Sequence, residues 1–489
     1  MKRPPPSADA NPPGSVIRRR PAASLQPDHA PRKVARSRAD ADAAGLAARR
    51  AALGILVRVA RERAFADVLL GHRLDEFAPI DRGLITRMVL GTIAWQGRLD
   101  YELARIASRP LDSIAPELLA ILRMALFQLR MLDRVPAHAA VDTAVTLARE
   151  TAGGAGGSGF VNAILRNALR RPVELPPRAA DENGYLAIAH SHPRWLAEKF
   201  VEWFGIDGAE ALMRANNEAA PNVMRLNLAR GGAEEVAARL QREGFAIAAR
   251  GRFPETIMLE SAPPPDSSAI REGLCYPQAA ASQLVARMLA PAPGATILEC
   301  AAAPGGKATH LAELVGAAGR VIAVDLNFAG LKKIRVLARR LGLRNVYPIR
   351  ANAATAMPLG VQSFDYVLLD APCTGIGTLR EHPEIRWRLA PGDFARMAAM
   401  QAAMLATAAA SVRPGGVLIY SVCSVAPQEG AGVIDDFLAR NGEFAIDREF
   451  ADAERFAGLI GADGMMRTRP DQAAMDGFFA ARIKRRPTP

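Results

Sequence analysis

Two cysteines carry the strongest chemical signal in this sequence. Cys373 follows the apolar run that ends in Asp370-Ala371-Pro372, and Cys423 follows Leu418-Ile419-Tyr420-Ser421-Val422. A cysteine among apolar neighbours is usually a small buried hydrophobe, and Cys275 and Cys300 read that way. Cys373 and Cys423 read differently, because both fall where predicted strands end over one crevice. Four scattered cysteines are too few for a disulfide framework, and no CxxC pair suggests zinc. A third signal is Ala301-Ala302-Ala303-Pro304-Gly305-Gly306-Lys307, a tight glycine turn between a strand and a helix. It has neither GxGxxG nor P-loop spacing, so it suits close backbone approach to a nucleoside better than a cradle for pyrophosphate. Asp325 ends the next strand, 20 residues after Gly305, where a carboxylate can accept hydrogen bonds from both ribose hydroxyls. Together these features predict a nucleoside cofactor such as S-adenosyl-L-methionine.

Thiols beside a methyl donor suit one reaction in particular. C5 of a pyrimidine is too weak a nucleophile to take a methyl group directly. A thiolate adding at C6 makes C5 enamine-like, and after transfer the C5 proton must leave before the thiolate is expelled. Only the thiolate attacks, so positive charge or hydrogen bonding must lower its pKa. One cysteine attacks in such a scheme while the other assists release.

The elements needed to hold these groups are legible around them. Strands are predicted at 296–301, 321–325, 345–349, 364–370, 416–422 and 478–483, alternating with helices. That grammar predicts a mostly parallel twisted sheet with ligands beyond the carboxyl ends of its strands. Residues 47–170 read as helices. Leu53, Leu56, Val57, Ala60, Ala64 and Val68 form one stripe. Leu84, Met88 and Ile93 face inward on a helix from Asp81. Pro116 opens a third helix, with Leu119, Leu122, Leu126 and Leu129 on one face. The run Gly153–Gly159 reads as a flexible connection. Between the two halves, Trp195–Phe204 and Glu234–Glu243 read as helices and Val223–Asn227 as a strand. The expected organisation is multidomain: a basic disordered tail over 1–45, an all-α bundle over 46–172, a small α+β linker domain over 173–285, and an α/β Rossmann-like methyltransferase domain over 286–486.

The 489 residues carry 62 Lys and Arg against 50 Asp and Glu, a net charge of +12 and a pI near 10.0. Such a surplus suits a polyanion, because neutralising phosphates releases counterions. The first 45 residues hold nine Lys/Arg and four Asp and read as a mobile polycationic arm. No stretch approaches the ~18 apolar residues of a membrane helix, and no apolar segment follows the basic N-terminus as in a secretory signal. A cytoplasmic protein without a membrane partner is expected. The seven histidines show no metal-ligand spacing beyond His190-x-His192, so no metal is expected.

The motifs Ala303-Pro304-Gly305-Gly306-Lys307, Asp370-Ala371-Pro372-Cys373-Thr374-Gly375, Tyr420-Ser421-Val422-Cys423-Ser424 and Asp476-Gly477-Phe478-Phe479 resemble the RsmB/Sun family of bacterial 16S rRNA cytosine-5 methyltransferases, within the NSUN-type enzymes. Asp81-Arg82, Gly91-Thr92, Leu122-Arg123, Gln128-Leu129, Val135-Pro136 and Phe160–Ala163 resemble the NusB-like RNA-binding domain of that family. The resemblance covers about 47 to 485. It implies Cys423 as nucleophile and Cys373 as the thiol assisting release. It places Asp370 near the cofactor and the target base, and from the strand-end position of Asp370 a hydrogen bond to the cytosine N3/N4 edge is expected. Ala302, Ala303, Pro304, Gly305, Gly306, Lys307, Asp325 and Asn352 would line the cofactor. It further implies an RNA partner, 16S rRNA that is naked or partly assembled into the small subunit. Departures from the pattern are Val422 for Thr, Asn352 for Asp, Glu299 for Asp, Ala308 for Thr, Gly430 for Asn, Glu381 for a basic residue and Glu384 for Asp. Two alternatives accompany this reading: a tRNA substrate with the same chemistry, and an RNA-binding assembly factor with impaired catalysis.

Overall fold

In the helical half, prolines set two of the helix starts: Pro79 and Pro116 occupy first-turn positions, where the missing N–H costs nothing. The helices are α1 (Arg38–Glu62), α2 (Ala66–Arg73), α3 (Pro79–Ala94), α4 (Gln96–Ile106), α5 (Pro116–Met131), α6 (Ala137–Glu150) and α7 (Gly154–Arg170). This computed structural model describes residues 38–487 except 152, 153, 262, 264–266, 356, 358 and 474. Most of the basic tail therefore lies outside the described residues. Its last part, 38–45, corrects the expectation of disorder by opening α1, in an alanine-rich stretch with high helix propensity.

The helices close on one core built around α5, where Leu118, Ile121, Leu122, Ala125 and Leu126 are buried. Three local expectations change. Arg63 takes φ 52° just past α1, so Val68 leaves the stripe and is half exposed, while Ile55 and Val59 are buried. On α3, Ile85 and Val89 are fully buried and Leu84 only partly. Gly154–Gly159 is helical, because the absence of side chains lets α7 approach α5. A Cβ on Gly157 would lie 3.3 Å from Leu118.

Next come α8 (Glu182–Ala189) and α9 (Arg194–Ala215), the latter kinked at Gly205. A four-stranded antiparallel sheet follows, of order β2-β3-β1-β4. It is made of β1 (Asn222–Leu226), β2 (Ile247–Arg250), β3 (Thr256–Leu259) and β4 (Cys275–Pro277), with α10 (Ala233–Arg242) and α11 (Ser268–Arg271).

After α12 (Ala280–Leu289) the chain alternates β5 (Thr296–Cys300), α13 (Gly306–Val315), β6 (Arg320–Asp325), α14 (Phe328–Leu341), β7 (Val346–Arg350) and β8 (Phe364–Asp370). Then come α15 (Ile385–Arg388), α16 (Asp393–Ala410), β9 (Val412–Val422), α17 (Ala431–Arg440), β10 (Phe444–Ile446), β11 (Met466–Thr468), α18 (Pro470–Ala473) and β12 (Phe478–Arg485). The strands form an eight-stranded sheet of order β10-β12-β9-β8-β5-β6-β7, with β11 beside β12. All six expected strands are present. Pairs among β5 to β9 are parallel, β12 pairs antiparallel with β9, and β10 pairs antiparallel with β12. The strand order reverses between β5 and β8, which opens a crevice at their carboxyl ends.

Candidate active site

The crevice is built first by the turn after β5. Gly305 takes φ 108°, in the left-handed region, and a Cβ there would lie 3.1 Å from Ile334 of α14. Only glycine lets the turn lie this close to the helix. Asp325, at the end of β6, accepts the amides of Ala303 (2.9 Å) and Asn327 (2.7 Å), so the carboxylate is anchored beside the turn. Ala302 is buried and Pro304 is exposed on the rim. Asn352 follows β7 and is exposed, its side-chain oxygen accepting the Ala354 amide at 3.0 Å.

Asp370 ends β8 in the crevice. Lys307 donates to its Oδ2 at 2.8 Å and Ser421 to its Oδ1 at 2.6 Å. Burial works against the charge of Lys307, but Asp370, Cys423 and Glu299 outweigh it and hold its pKa above the usual lysine value. Glu299 is fully buried behind them, with Oε2 unpartnered, and burial pushes its carboxyl well above the usual range.

Parallel pairing of β8 with β9 sets Asp370 beside Ser421 and brings the two cysteines together. Their sulfurs lie 3.2 Å apart as free thiols. The hydrogen bond to Cys423, then burial and the negative charge nearby, keep Cys373 protonated by raising its pKa well above the ordinary thiol value. Cys275 and Cys300 are buried, as expected of small hydrophobes, with thiols pushed up to about 12. Val422, where the resemblance expects Thr, is fully buried in the apolar cluster with Leu298 and Tyr420.

Several contributors escaped sequence reasoning. Glu429 is fully buried and accepts four hydrogen bonds. Its Oε1 takes the Thr374 amide (2.8 Å) and Gln401 Nε2 (3.1 Å), and its Oε2 takes the hydroxyls of Thr374 (2.5 Å) and Ser424 (2.6 Å). It thereby ties together the residues that follow both cysteines. The available signal was Gln401, a lone amide within an alanine-rich helix. Arg225 of β1, also buried, donates to the Gly306 carbonyl (2.5 Å), Thr309 (2.9 Å) and Glu313 (3.1 Å), so the small sheet braces the glycine turn. A strap after Cys373 reaches the helical half. Trp387 donates to the Ile93 carbonyl (2.7 Å), and buried Arg386 donates to the carbonyls of Ser191 (3.2 Å) and Asn216 (3.1 Å). The fold also brings together Asp67, His382 and Glu384, a trio that spacing had not suggested, with one ligand-type atom of each within 4.8 Å of the others. One Glu384 oxygen already accepts the Ala66 amide at 2.9 Å.

Residues 286–484 match the family described as 16S rRNA methyltransferase RsmB/F, residues 46–170 the NusB family, and residues 192–265 the ferredoxin-like domain of RsmF/B-like methyltransferases. The chain is 32% identical over 446 residues to the "Probable ribosomal RNA small subunit methyltransferase B" of Synechocystis sp., covering 90% of this chain and 100% of that protein. The chain belongs to the RsmB/F family. Another RsmB/F relative, the ribosomal RNA small subunit methyltransferase B of Pseudomonas syringae pv. tomato, is 32% identical over 87% of this chain and 96% of its own length. The solved structure of PH0851 superposes with a TM-score of 0.78 at 27% identity, covering 90% of this chain and 98% of that one. As an RsmB/F protein, the chain is an S-adenosylmethionine-dependent rRNA methyltransferase. The crevice fits that cofactor. Asp325 stands anchored beside the close-approach glycine turn and Asp370 at the next strand end, two acidic side chains for a ligand bearing ribose hydroxyls and sulfonium and ammonium charges. Another RsmB/F departure, Gly430, packs where a Cβ would lie 2.9 Å from the Phe479 ring.

Proposed function

We propose that the chain methylates C5 of a cytosine in 16S rRNA, naked or partly assembled into the small subunit, through a covalent bond from Cys423 to C6. The observation that carries this reading is the 3.2 Å approach of Cys373 to Cys423 at adjoining strand ends beside Asp370. The target base must leave its stack to reach that point.

Bound S-adenosylmethionine supplies an electrophilic methyl group, and Asp325, Asn352 and the turn from Ala302 to Lys307 hold it. The Cys423 thiolate adds to C6, which moves electron density to C5. Asp370, oriented by Lys307 and Ser421, accepts from the N4 amine at the N3/N4 edge and selects cytosine. After methyl transfer the C5 proton leaves to a base. Cys423 then departs as a thiolate, and Cys373, which keeps its proton, donates a hydrogen bond to the departing sulfur. Residues 46–172 position the RNA, 173–285 brace the cofactor turn, and 286–486 carry the reaction, which takes place in the cytoplasm.

Small-subunit RNA substituted with 5-fluorocytidine tests this, because C5 then cannot lose a proton and the adduct persists. With S-adenosylmethionine, the wild type and Cys373→Ala should each give a denaturation-resistant protein–RNA band, and Cys423→Ala none. A band that survives Cys423→Ala removes Cys423 as nucleophile. No band from any form, with RNA shown to bind, favours a non-catalytic assembly factor. A band with substituted tRNA alone changes the substrate.

A further inference from the structure

The surplus of positive charge is unevenly placed. Between Leu326 and Phe364 the sequence holds seven Lys or Arg and no Asp or Glu. The helical region 46–170 holds 17 Lys or Arg, but 12 Asp or Glu dilute them. The acid-free segment is α14, β7 and the loops around them. Six of its bases, Lys332, Lys333, Arg335, Arg339, Arg344 and Arg350, are exposed. None of the six makes an ion pair with a described residue. Exposed arginines elsewhere commonly do, among them Arg58 with Glu62, Arg413 with Asp365 and Arg467 with Asp463.

A second observation lies on the same face. Phe328 is 54% exposed and Val336 66%, bare apolar surface beside the cations on the outer side of α14. Lys332 Nζ sits 4.8 Å over the Phe328 ring. Cations beside an exposed ring combine the two components of a single-stranded nucleic-acid surface: charge for phosphates and a π-face for a base. The face is also continuous with the crevice. α14 begins three residues after Asp325, and Arg350 stands in register beside Asp325 across β6 and β7. From that rim α14 runs roughly 20 Å away at the rise of an α-helix.

We propose that the outer face of α14, together with Arg344 and Arg350, grips the phosphate backbone of the RNA and leads it to the crevice at Asp325. This rests on the reading that the substrate is RNA. The cations are left without an ion pair among the described residues because their partner is the polyanion, whose bound counterions they displace.

The experiment measures binding of a fluorescent small-subunit rRNA fragment by anisotropy across a salt series, using the full chain. The quadruple variant Lys332→Ser, Lys333→Ser, Arg335→Ser, Arg339→Ser is compared with a charge-matched control, Arg58→Ser, Arg440→Ser, Arg455→Ser, Arg467→Ser. Every phosphate that no longer meets a cation should reduce the slope of log affinity against log salt by about 0.7–0.9. The quadruple variant should therefore bind more weakly by about tenfold or more and flatten the slope by about 3. The control should keep the wild-type slope, and both should bind S-adenosylmethionine as the wild type does. Arg344→Ser, outside the helix, should flatten the slope by about 0.7–0.9 and serves if the quadruple variant is misfolded. Equal weakening in variant and control would reduce the effect to bulk charge and overturn the proposal. So would unchanged RNA binding together with abolished binding to phosphatidylglycerol vesicles. Binding is read without turnover, so a wild type that binds RNA through this face but forms no 5-fluorocytidine adduct would refute the catalytic reading alone.

Discussion

Glu429 lies between Thr374 and Ser424, and its four hydrogen bonds come from neutral donors. A buried carboxylate satisfied in this way acts as a fixed acceptor, and each donor is aimed by it. Because three of those donors, on Thr374 and Ser424, immediately follow Cys373 and Cys423, Glu429 sets the spacing of the two sulfurs without touching a reacting atom. Glu429→Ala would remove the acceptor from all four donors and leave the Thr374 amide buried without a partner. Misplacement of reacting groups on the ångström scale costs on the order of a hundredfold in rate, so adduct formation with 5-fluorocytidine RNA should slow by about that factor. Cofactor affinity, set on the other side of Asp370, should not change. An undiminished rate in single-turnover experiments would remove Glu429 from the positioning of the cysteines.

Two elements show how context overrides local signals. The glycine-rich start of α7 has the composition of a linker, yet Gly157 and Ser158 are buried in the helix. The packing of α7 against α5 offsets the poor helix propensity of glycine. Gly157→Leu would force a branched side chain against Leu118 and should cost about 1–3 kcal/mol by overpacking, lowering the melting temperature by several degrees. An unchanged melting temperature would mean that the two helices yield freely at this point. The strap around Arg386 makes the opposite point. Nothing in its local pattern marks it as a junction, but its side chains reach helices almost 300 residues earlier in the chain, as in the bond from Trp387 to Ile93.

At the scale of the whole molecule, the strap also carries a pH dependence. The Glu381 carboxyl is pushed up to about 7, first by burial and then by Asp476, whereas in the unfolded chain it titrates near 4.3. The folded state therefore holds a proton that the unfolded state has released. The stabilisation is complete below the unfolded pKa and is lost as pH rises through about 7. Thermal melts between pH 5 and pH 8 should show this decline in the wild type and a shallower one in Glu381→Gln. An equal decline in both would assign it elsewhere, with Glu313, also raised to about 7 by burial, the next group to substitute.

What was legible in the sequence follows from short-range rules. Strand periodicity and strand ends located all six expected strands and put Asp325, Asp370, Cys373 and Cys423 at the sheet's carboxyl edge. The β-pleat and the chain direction are local properties, so one strand suffices to reveal them. The motifs around the cysteines likewise carried the family without a structure. Only the tertiary fold decided that the two sulfurs meet, that Lys307 turns to Asp370 and that Glu429 and Arg225 brace the site from distant segments. These depend on strand order and side-chain direction between residues 50 to 81 positions apart in sequence. The clustering of unpaired cations illustrates both cases. Their acid-free run can be counted along the chain, but their exposure on one face beside the crevice exists only after β6, α14 and β7 have packed.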